Sequence, residues 1–174
     1  MKMVDLGLPS GTLWADRNLG ANAPEQYGNY YRFGDAFYYE KYSPEYRSED
    51  VGSNIAGTDR DAATVTLGKE YHTPTFEQFK ELLGNCRQEW ITFNGVNGVE
   101  VTGPNGNSVF FPAAGLRDNA ENKILYAGKH GWYRSSVTED NSTYCWYMEF
   151  SDNGWDYIDA EKNHRLPIRP VLNK

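Results

Sequence analysis

Three histidines, His72, His130 and His164, and two cysteines, Cys86 and Cys145, are the residues best equipped for catalysis or metal binding, and their spacing favours neither. No His-x-His pair and no two-histidine-one-carboxylate spacing occurs, so an iron site has no ligand set. The cysteines stand far apart and lack zinc spacing. Each lies in an apolar context and reads as a buried free thiol; a disulfide requires the helix carrying Cys86 to lie against the strand carrying Cys145. No Gly-x-Ser-x-Gly elbow or phosphate loop is present. Acidic residues are abundant, yet nothing singles out two of them as an acid–base pair. Asn153-Gly154-Trp155-Asp156 loosely resembles a calcium motif, but calcium takes roughly six to eight oxygens and one Asp with one Asn supplies too few. The expectation is a protein that is not an enzyme and carries no cofactor.

The chemistry-bearing stretch is instead the C-terminal third, residues 128–171. Trp132, Tyr133, Tyr144, Trp146, Tyr147, Phe150, Trp155 and Tyr157 alternate there with Ser, Asp, Asn, Thr, Glu and Gly. Rigid aromatics with polar tips give contact area at low entropy cost, and small polar residues between them give adaptable hydrogen bonds, as in antibody paratopes. The segment from Lys129 to Tyr157 is the candidate ligand face. Trp132, Tyr147, Trp155 and Tyr157 are its candidate anchors, and Arg134, Glu149 and Asp156 confer charge selectivity. Strand packing competes for the same residues. Thr143 to Ser151 alternates with period two, which places Tyr144, Trp146, Met148 and Phe150 on one face and Cys145, Tyr147 and Glu149 on the other, so some of these rings belong to the core.

The elements that must position this face are short. The chain has 17 Gly, 8 Pro, 13 Tyr and 5 Trp in 174 residues, a composition of many turns whose core is built from large rings. The length suits one domain spanning 1–174. A net charge of −7 argues against nucleic acid as a partner, because phosphate neutralisation needs clustered Lys and Arg. No apolar run approaches about 18 residues, so no membrane insertion is expected. Met1-Lys2-Met3 runs into Val4-Asp5-Leu6 without the apolar region of a signal peptide. Either secretion does not use that route or the native N-terminus lies elsewhere.

In chain order, Val4–Leu6 and Thr12–Ala15 read as strands around a turn at Pro9-Ser10-Gly11. Tyr27–Gly34 reads as extended and Phe37–Asp50 as a long surface loop. A first helix is expected from Thr58, with Asp61 completing a capping-box-like pair, Ala62, Ala63 and Val65 on the buried side and Gly68 as the stop. The second starts at a Thr75–Gln78 capping box, buries Phe76, Phe79, Leu82 and Leu83, and ends at Gly84. From Glu89 the period switches to two. Strands are expected at Trp90–Phe93, Val96–Thr102, Val109–Phe111, Gly131–Ser136, Tyr144–Phe150 and Trp155–Ile158. A last strand around Pro167–Val171 carries two prolines and is expected at an edge. Strands, two helices, then many strands predict an α+β domain with two short helices packed on short antiparallel strands.

Several phrases taken in order resemble the Fibrobacter succinogenes major paralogous domain family, common in gut Bacteroidetes proteins and their phages. They are Val4-Asp5-Leu6-Gly7-Leu8, Trp14-Ala15, Asn18-Leu19-Gly20-Ala21, Tyr27-Gly28-Asn29-Tyr30, Phe33-Gly34, Pro74-Thr75, Asn105-Gly106-Asn107-Ser108, Phe111-Pro112-Ala113-Ala114-Gly115, Ser135-Ser136 and Arg169-Pro170-Val171. The resemblance covers nearly the whole chain. It implies a C-type-lectin-like fold shared with formylglycine-generating-enzyme-like domains, although Cys86 and Cys145 are not placed as the reactive pair of those enzymes. Some members resemble the variable proteins of diversity-generating retroelements. On that pattern Tyr133, Ser135, Ser136, Cys145, Met148, Phe150, Arg169, Pro170 and Val171 are framework. Lys129, His130, Trp132, Arg134, Thr138, Asp140, Asn141, Tyr144, Tyr147, Glu149, Asp152, Trp155, Asp156 and Tyr157 are displayed. The chain departs from the family at Arg134, where Trp is common, and before the helix-entry proline, where Arg is common and this chain has His72-Thr73-Pro74. The implied setting is a cell surface or phage virion, and the implied partner is a protein or glycan receptor. A fixed-specificity glycan-binding domain, or a structural adhesin module, is the alternative.

Overall fold

The computed structural model describes residues 1–38, 51–138 and 143–173. Most of the predicted loop after Phe37, and the candidate residues Asp140 and Asn141, lie outside the described residues. The N-terminal half runs β1 (Met3–Asp5), β2 (Leu13–Ala15), β3 (Tyr30–Tyr31), α1 (Ala62–Leu67), β4 (Tyr71–His72) and α2 (Phe76–Asn85). There follow β5 (Arg87–Phe93), β6 (Val96–Thr102), β7 (Ser108–Pro112), β8 (Leu116–Arg117) and β9 (Ile124–Leu125). The chain closes with β10 (Gly131–Thr138), β11 (Tyr144–Ser151), β12 (Gly154–Glu161), β13 (Leu166–Pro167) and β14 (Val171–Leu172).

This architecture corrects the expected α+β, C-type-lectin-like fold. The protein is mostly β, 41% strand against 10% helix, and among the described residues no helix-packed C-type-lectin arrangement is formed. Instead, five small antiparallel sheets share the work, ordered β1-β2-β14-β4, β10-β11-β12, β13-β3, β5-β6-β7 and β8-β9. The physical reason lies in helix length. α1 is one and a half turns, because Asp61 rather than Thr58 caps it. The fully buried Asp61 carboxylate accepts from Ala63 N (3.0 Å), Thr64 Oγ1 (3.0 Å), Thr73 N (2.9 Å) and Thr73 Oγ1 (2.6 Å). It therefore ties the helix start to the approach to α2. Gly68 stops α1 as expected, but Val65 is exposed and Thr64 takes the buried side with Ala62 and Ala63.

α2 follows its sequence signals more closely. Thr75 Oγ1 accepts the Gln78 N–H (3.2 Å), and the Gln78 side-chain oxygen accepts the Thr75 N–H (2.9 Å). Phe79 and Leu82 enter the main core beside Trp14, Val99, Phe111 and Phe150. The helix continues through Gly84 to Asn85, with Cys86 as its cap. β5 and β6 turn through Asn94 (φ 49°) and Gly95 (φ 81°), the two left-handed residues that a type I′ hairpin requires.

The last strand is not at an edge. β14 lies between β2 and β4, pairing Val171 with both Trp14 and His72. β14 starts after Pro170, and Pro167 lies apart from it in β13, which pairs on one side only, with Tyr30 of β3, so neither proline interrupts the central ladder.

In the β10-β11-β12 sheet, β10 and most of β11 are covered on both faces, and β12 is the open edge. Tyr133, Met148 and Phe150 belong to the main core, whereas Cys145 and Tyr147 join a second cluster with Phe33, Ile55 and Leu166. The register between β10 and β11 slips between Arg134 and Thr138. In that slip Ser136 N donates to Pro74 O (2.7 Å), and Ser136 O accepts from Ile55 N (2.9 Å). The sheet is thereby anchored to the start of α2. Buried Arg169 fixes the other side, donating to Asn18 Oδ1 (2.9 Å), Ala15 O (3.0 Å) and Phe110 O (2.7 Å) while lying 4.3 Å over the Phe111 ring.

Candidate functional site

Each of the nine residues assigned to framework is buried: Tyr133, Ser135, Ser136, Cys145, Met148, Phe150, Arg169, Pro170 and Val171. The fourteen displayed positions divide. Arg134, Thr138 and Tyr147 are inside, which corrects their assignment to a ligand face. A strand buried on both faces leaves them no route to solvent. Arg134 Nη1 donates to Cys145 Sγ (2.7 Å), and its Nη2 donates to the His164 and Tyr31 carbonyls, joining β10 to β3 and to the approach to β13. Burial pushes the Tyr147 phenol up to about 12. Thr138 donates its N–H to Ser53 O (2.8 Å). Trp155 is half-buried and packs on Phe150 (5.2 Å) and Phe111 (6.3 Å), so it supports the core.

The remaining positions form two surface groups. At the far end of the sheet, Tyr144 (44% exposed) and Tyr157 (39% exposed) adjoin Trp146, whose ring stacks on Phe76 at 4.5 Å. Tyr157 meets the same Phe76 edge-on at 5.0 Å. This is a satellite cluster between α2 and the hairpin.

The second group gathers Lys129, His130, Trp132, Glu149, Asp152 and Asp156 near the β11–β12 turn. His130 and Trp132 lie parallel, with centroids 5.1 Å apart and planes 6° apart. Tyr126 stands edge-on to both, at 6.0 Å and 5.5 Å. Glu149 Oε1 approaches His130 Nδ1 at 3.9 Å, and Asp156 is paired with Glu149 across β11–β12. The three rings form a ledge. Its support is a backbone feature: Tyr126 is in the left-handed region at φ 62°, and its carbonyl accepts from both Lys129 N and His130 N (3.1 Å each). A tyrosine seldom adopts that conformation, because its Cβ crowds the following carbonyl. Here it is 56% exposed, so burial does not hold it there.

Beside the ledge is a cleft of about 380 Å³ lined by Trp90, Asn97, Gly128, Lys129, His130, Ser151, Asp152 and Asn153. A shallower concavity of about 200 Å³ continues around the turn past Glu149, Trp155 and Asp156. Asn97 Nδ2 donates to Gly128 O (3.2 Å), and Asn153 N donates to Ser151 Oγ (3.1 Å), which fixes the two walls. Sequence reasoning missed Tyr126, Trp90 and Asn97. Tyr126 precedes the region examined for display. The β5–β6 hairpin carrying Trp90 and Asn97 meets the ledge only through tertiary packing, and no local pattern signals that.

Both cysteines are free. Cys86 lies in the main core and Cys145 in the second cluster. Burial, with Glu81 nearby, pushes the Cys86 thiol up to about 11. Burial also raises the Cys145 thiol, outweighing the opposing pull of Arg134. Neither environment makes a nucleophile. Among the described residues no group of three His, Cys, Asp or Glu side chains is placed to hold a metal ion, and no helix is long and apolar enough to cross a membrane.

No curated protein and no solved structure matches the chain. Residues 102–171 match a family described as a domain of unknown function, DUF8237, a stretch that runs from the end of β6 to β14 and takes in the ledge and the β11–β12 turn.

Proposed function

We propose that this chain is a non-enzymatic binding domain that offers the Tyr126–His130–Trp132 ledge and its adjoining cleft to a protein or glycan receptor. The observation that carries the reading is an exposed tyrosine held at φ 62°, edge-on to the stacked His130 and Trp132 rings, beside a cleft containing Lys129 and Asp152. Strained residues persist where the surroundings over-determine them, and they cluster at ligand sites. Amphipathic rings flanked by one cation and several carboxylates suit a receptor with both an apolar face and polar groups.

The test is an array of glycans and cell-envelope proteins probed with the wild type and with Lys129→Ala, Trp132→Ala and Asp152→Ala. The wild type should be retained on a subset of spots, with each variant weakened there. An array on which the wild type is silent, or on which all three variants bind as the wild type does, sinks the reading.

The resemblance to diversified proteins supports a narrower version, in which codons for the exposed positions are varied and the protein works at a cell surface or on a phage virion. A reverse-transcriptase gene nearby, with a near-copy of the coding segment for 128–171 that differs at adenines, is the expected finding. Without both, specificity is fixed.

A further inference from the structure

A second concavity lies away from the ledge, where the N-terminal sheet meets the start of α2. It measures about 670 Å³, and its lining includes Ser10, Thr12, Ala56, Lys69, His72, Gln78 and Asn173. Small-molecule sites span about 300–1,000 Å³. From this cleft we infer a saccharide- or polyol-binding site, independent of the ledge.

Its polar lining is built rather than incidental. Ser10 Oγ donates to Glu81 Oε2 (2.6 Å), and Ser10 N donates to Glu81 Oε1 (2.8 Å). With its own proton committed to that carboxylate, Ser10 Oγ receives the hydroxyl of Thr12 across 2.7 Å. Thr12 is 2% exposed. Its oxygen accepts from Gln78 Nε2 (3.4 Å), and the same amide donates to Asn173 Oδ1 (3.0 Å). One directed chain of hydrogen bonds thus orients four of the lining side chains and leaves the Asn173 amide hydrogens free to donate.

His72 supplies the complementary group. It is 8% exposed, and its Nδ1 is 2.9 Å from the Thr73 carbonyl. A carbonyl only accepts, so Nδ1 is the donor there, and the tautomer that fits this contact has its lone pair on Nε2. That nitrogen is buried and has no hydrogen-bond partner. A buried acceptor left unpaired is costly, and a ligand hydroxyl satisfies it as the side chains that close it off from the cleft part.

The ligand class follows from what the lining offers. Lys69 and Glu70 cancel in charge, which disfavours a simple ion. Among the described lining residues no Phe, Tyr or Trp is present to stack a flat ring, and His72 has no second and third partner for a metal. Hydroxyl and amide groups that both donate and accept match a compact polyhydroxylated molecule.

The test is the ¹⁵N spectrum of the intact protein labelled at histidine, titrated with glucose, mannose, galactose, N-acetylglucosamine and myo-inositol, with acetate and ammonium as ionic controls. At least one polyol should move the His72 Nε2 resonance saturably in the millimolar range while His130 stays fixed. Lys69→Trp and Ala56→Trp, two substitutions at the rim that remove no hydrogen bond of the chain, should each abolish that shift, and Lys129→Ala should preserve it. The inference is overturned if no polyol moves His72, if only acetate or ammonium does, if His130 moves instead, or if the shift survives whichever folded rim variant is measured. The ledge reading stands or falls separately, on Lys129, Trp132 and Asp152.

Discussion

Two residues show how this chain divides stability from display. Arg169 is buried among three acceptors from two segments, Ala15 and Asn18 in one and Phe110 in the other, and lies over Phe111. Burial, the largest influence, pulls its guanidinium below its usual range, and Tyr133 opposes that pull. Arg169→Lys cannot reproduce the fork and strands two or three buried acceptors, each costing about 1–3 kcal/mol. A loss of at least about 2 kcal/mol in chemical denaturation is expected. Tyr126 is the opposite case. Its ring is exposed and its backbone strained, so Tyr126→Gly removes a left-handed penalty of about 1–2 kcal/mol at the expense of ring contacts and chain entropy. The melting temperature should hold or rise. A fall of more than a few degrees would mean that the ledge is structural. Arg169 was legible from the chain's closing Arg-Pro-Val, while Tyr126 was not, since no residue pattern announces a tyrosine at positive φ.

At the scale of elements, β12 carries two aromatics on one face with different duties. Trp155 packs on Phe150 and Phe111, and Tyr157 meets the half-buried Phe76 at the rim. Trp155→Ala should therefore cost about 2–4 kcal/mol and Tyr157→Ala less than about 1 kcal/mol, a contrast that urea denaturation resolves. Equal losses would place both rings in the core. The strands themselves were largely legible, since period-two alternation and the Asn94-Gly95 turn located β5, β6, β7, β10, β11 and β12 to within a few residues. Which face each strand buries was not. Alternation normally marks a half-buried strand and so implies an open face for β11. A second cluster, assembled from Phe33, Ile55 and Leu166 far away in sequence, closes that face and takes Arg134, Thr138 and Tyr147 inside. The Thr75 cap marks α2 correctly and Thr58 places the start of α1 too early, and the small share of helix in the chain does not sustain the α+β fold.

For the whole molecule, acid should weaken the fold through His164 among other groups. Burial, then the positive charge of Arg134, holds this imidazole below its usual value, and Glu161 opposes them. The unfolded chain takes up the proton more readily, at about 6.5. The stability this neutral ring contributes is thus complete above that pH and is lost as pH falls through the lowered folded value. Melting curves should show His164→Gln declining less than the wild type below about pH 6.5. Parallel curves would remove His164 from the account.

The central claim is that the Tyr126–His130–Trp132 ledge is a binding surface whose exposed tyrosine the scaffold does not need, while half-buried Trp132 also packs on the second cluster. The most direct measurement takes Tyr126→Gly, with its melting temperature recorded in the same preparation, onto the array of glycans and envelope proteins. The account predicts that spots retaining the wild type lose the variant while its melting temperature stays level or rises. A variant that melts like the wild type and binds like it would contradict the claim.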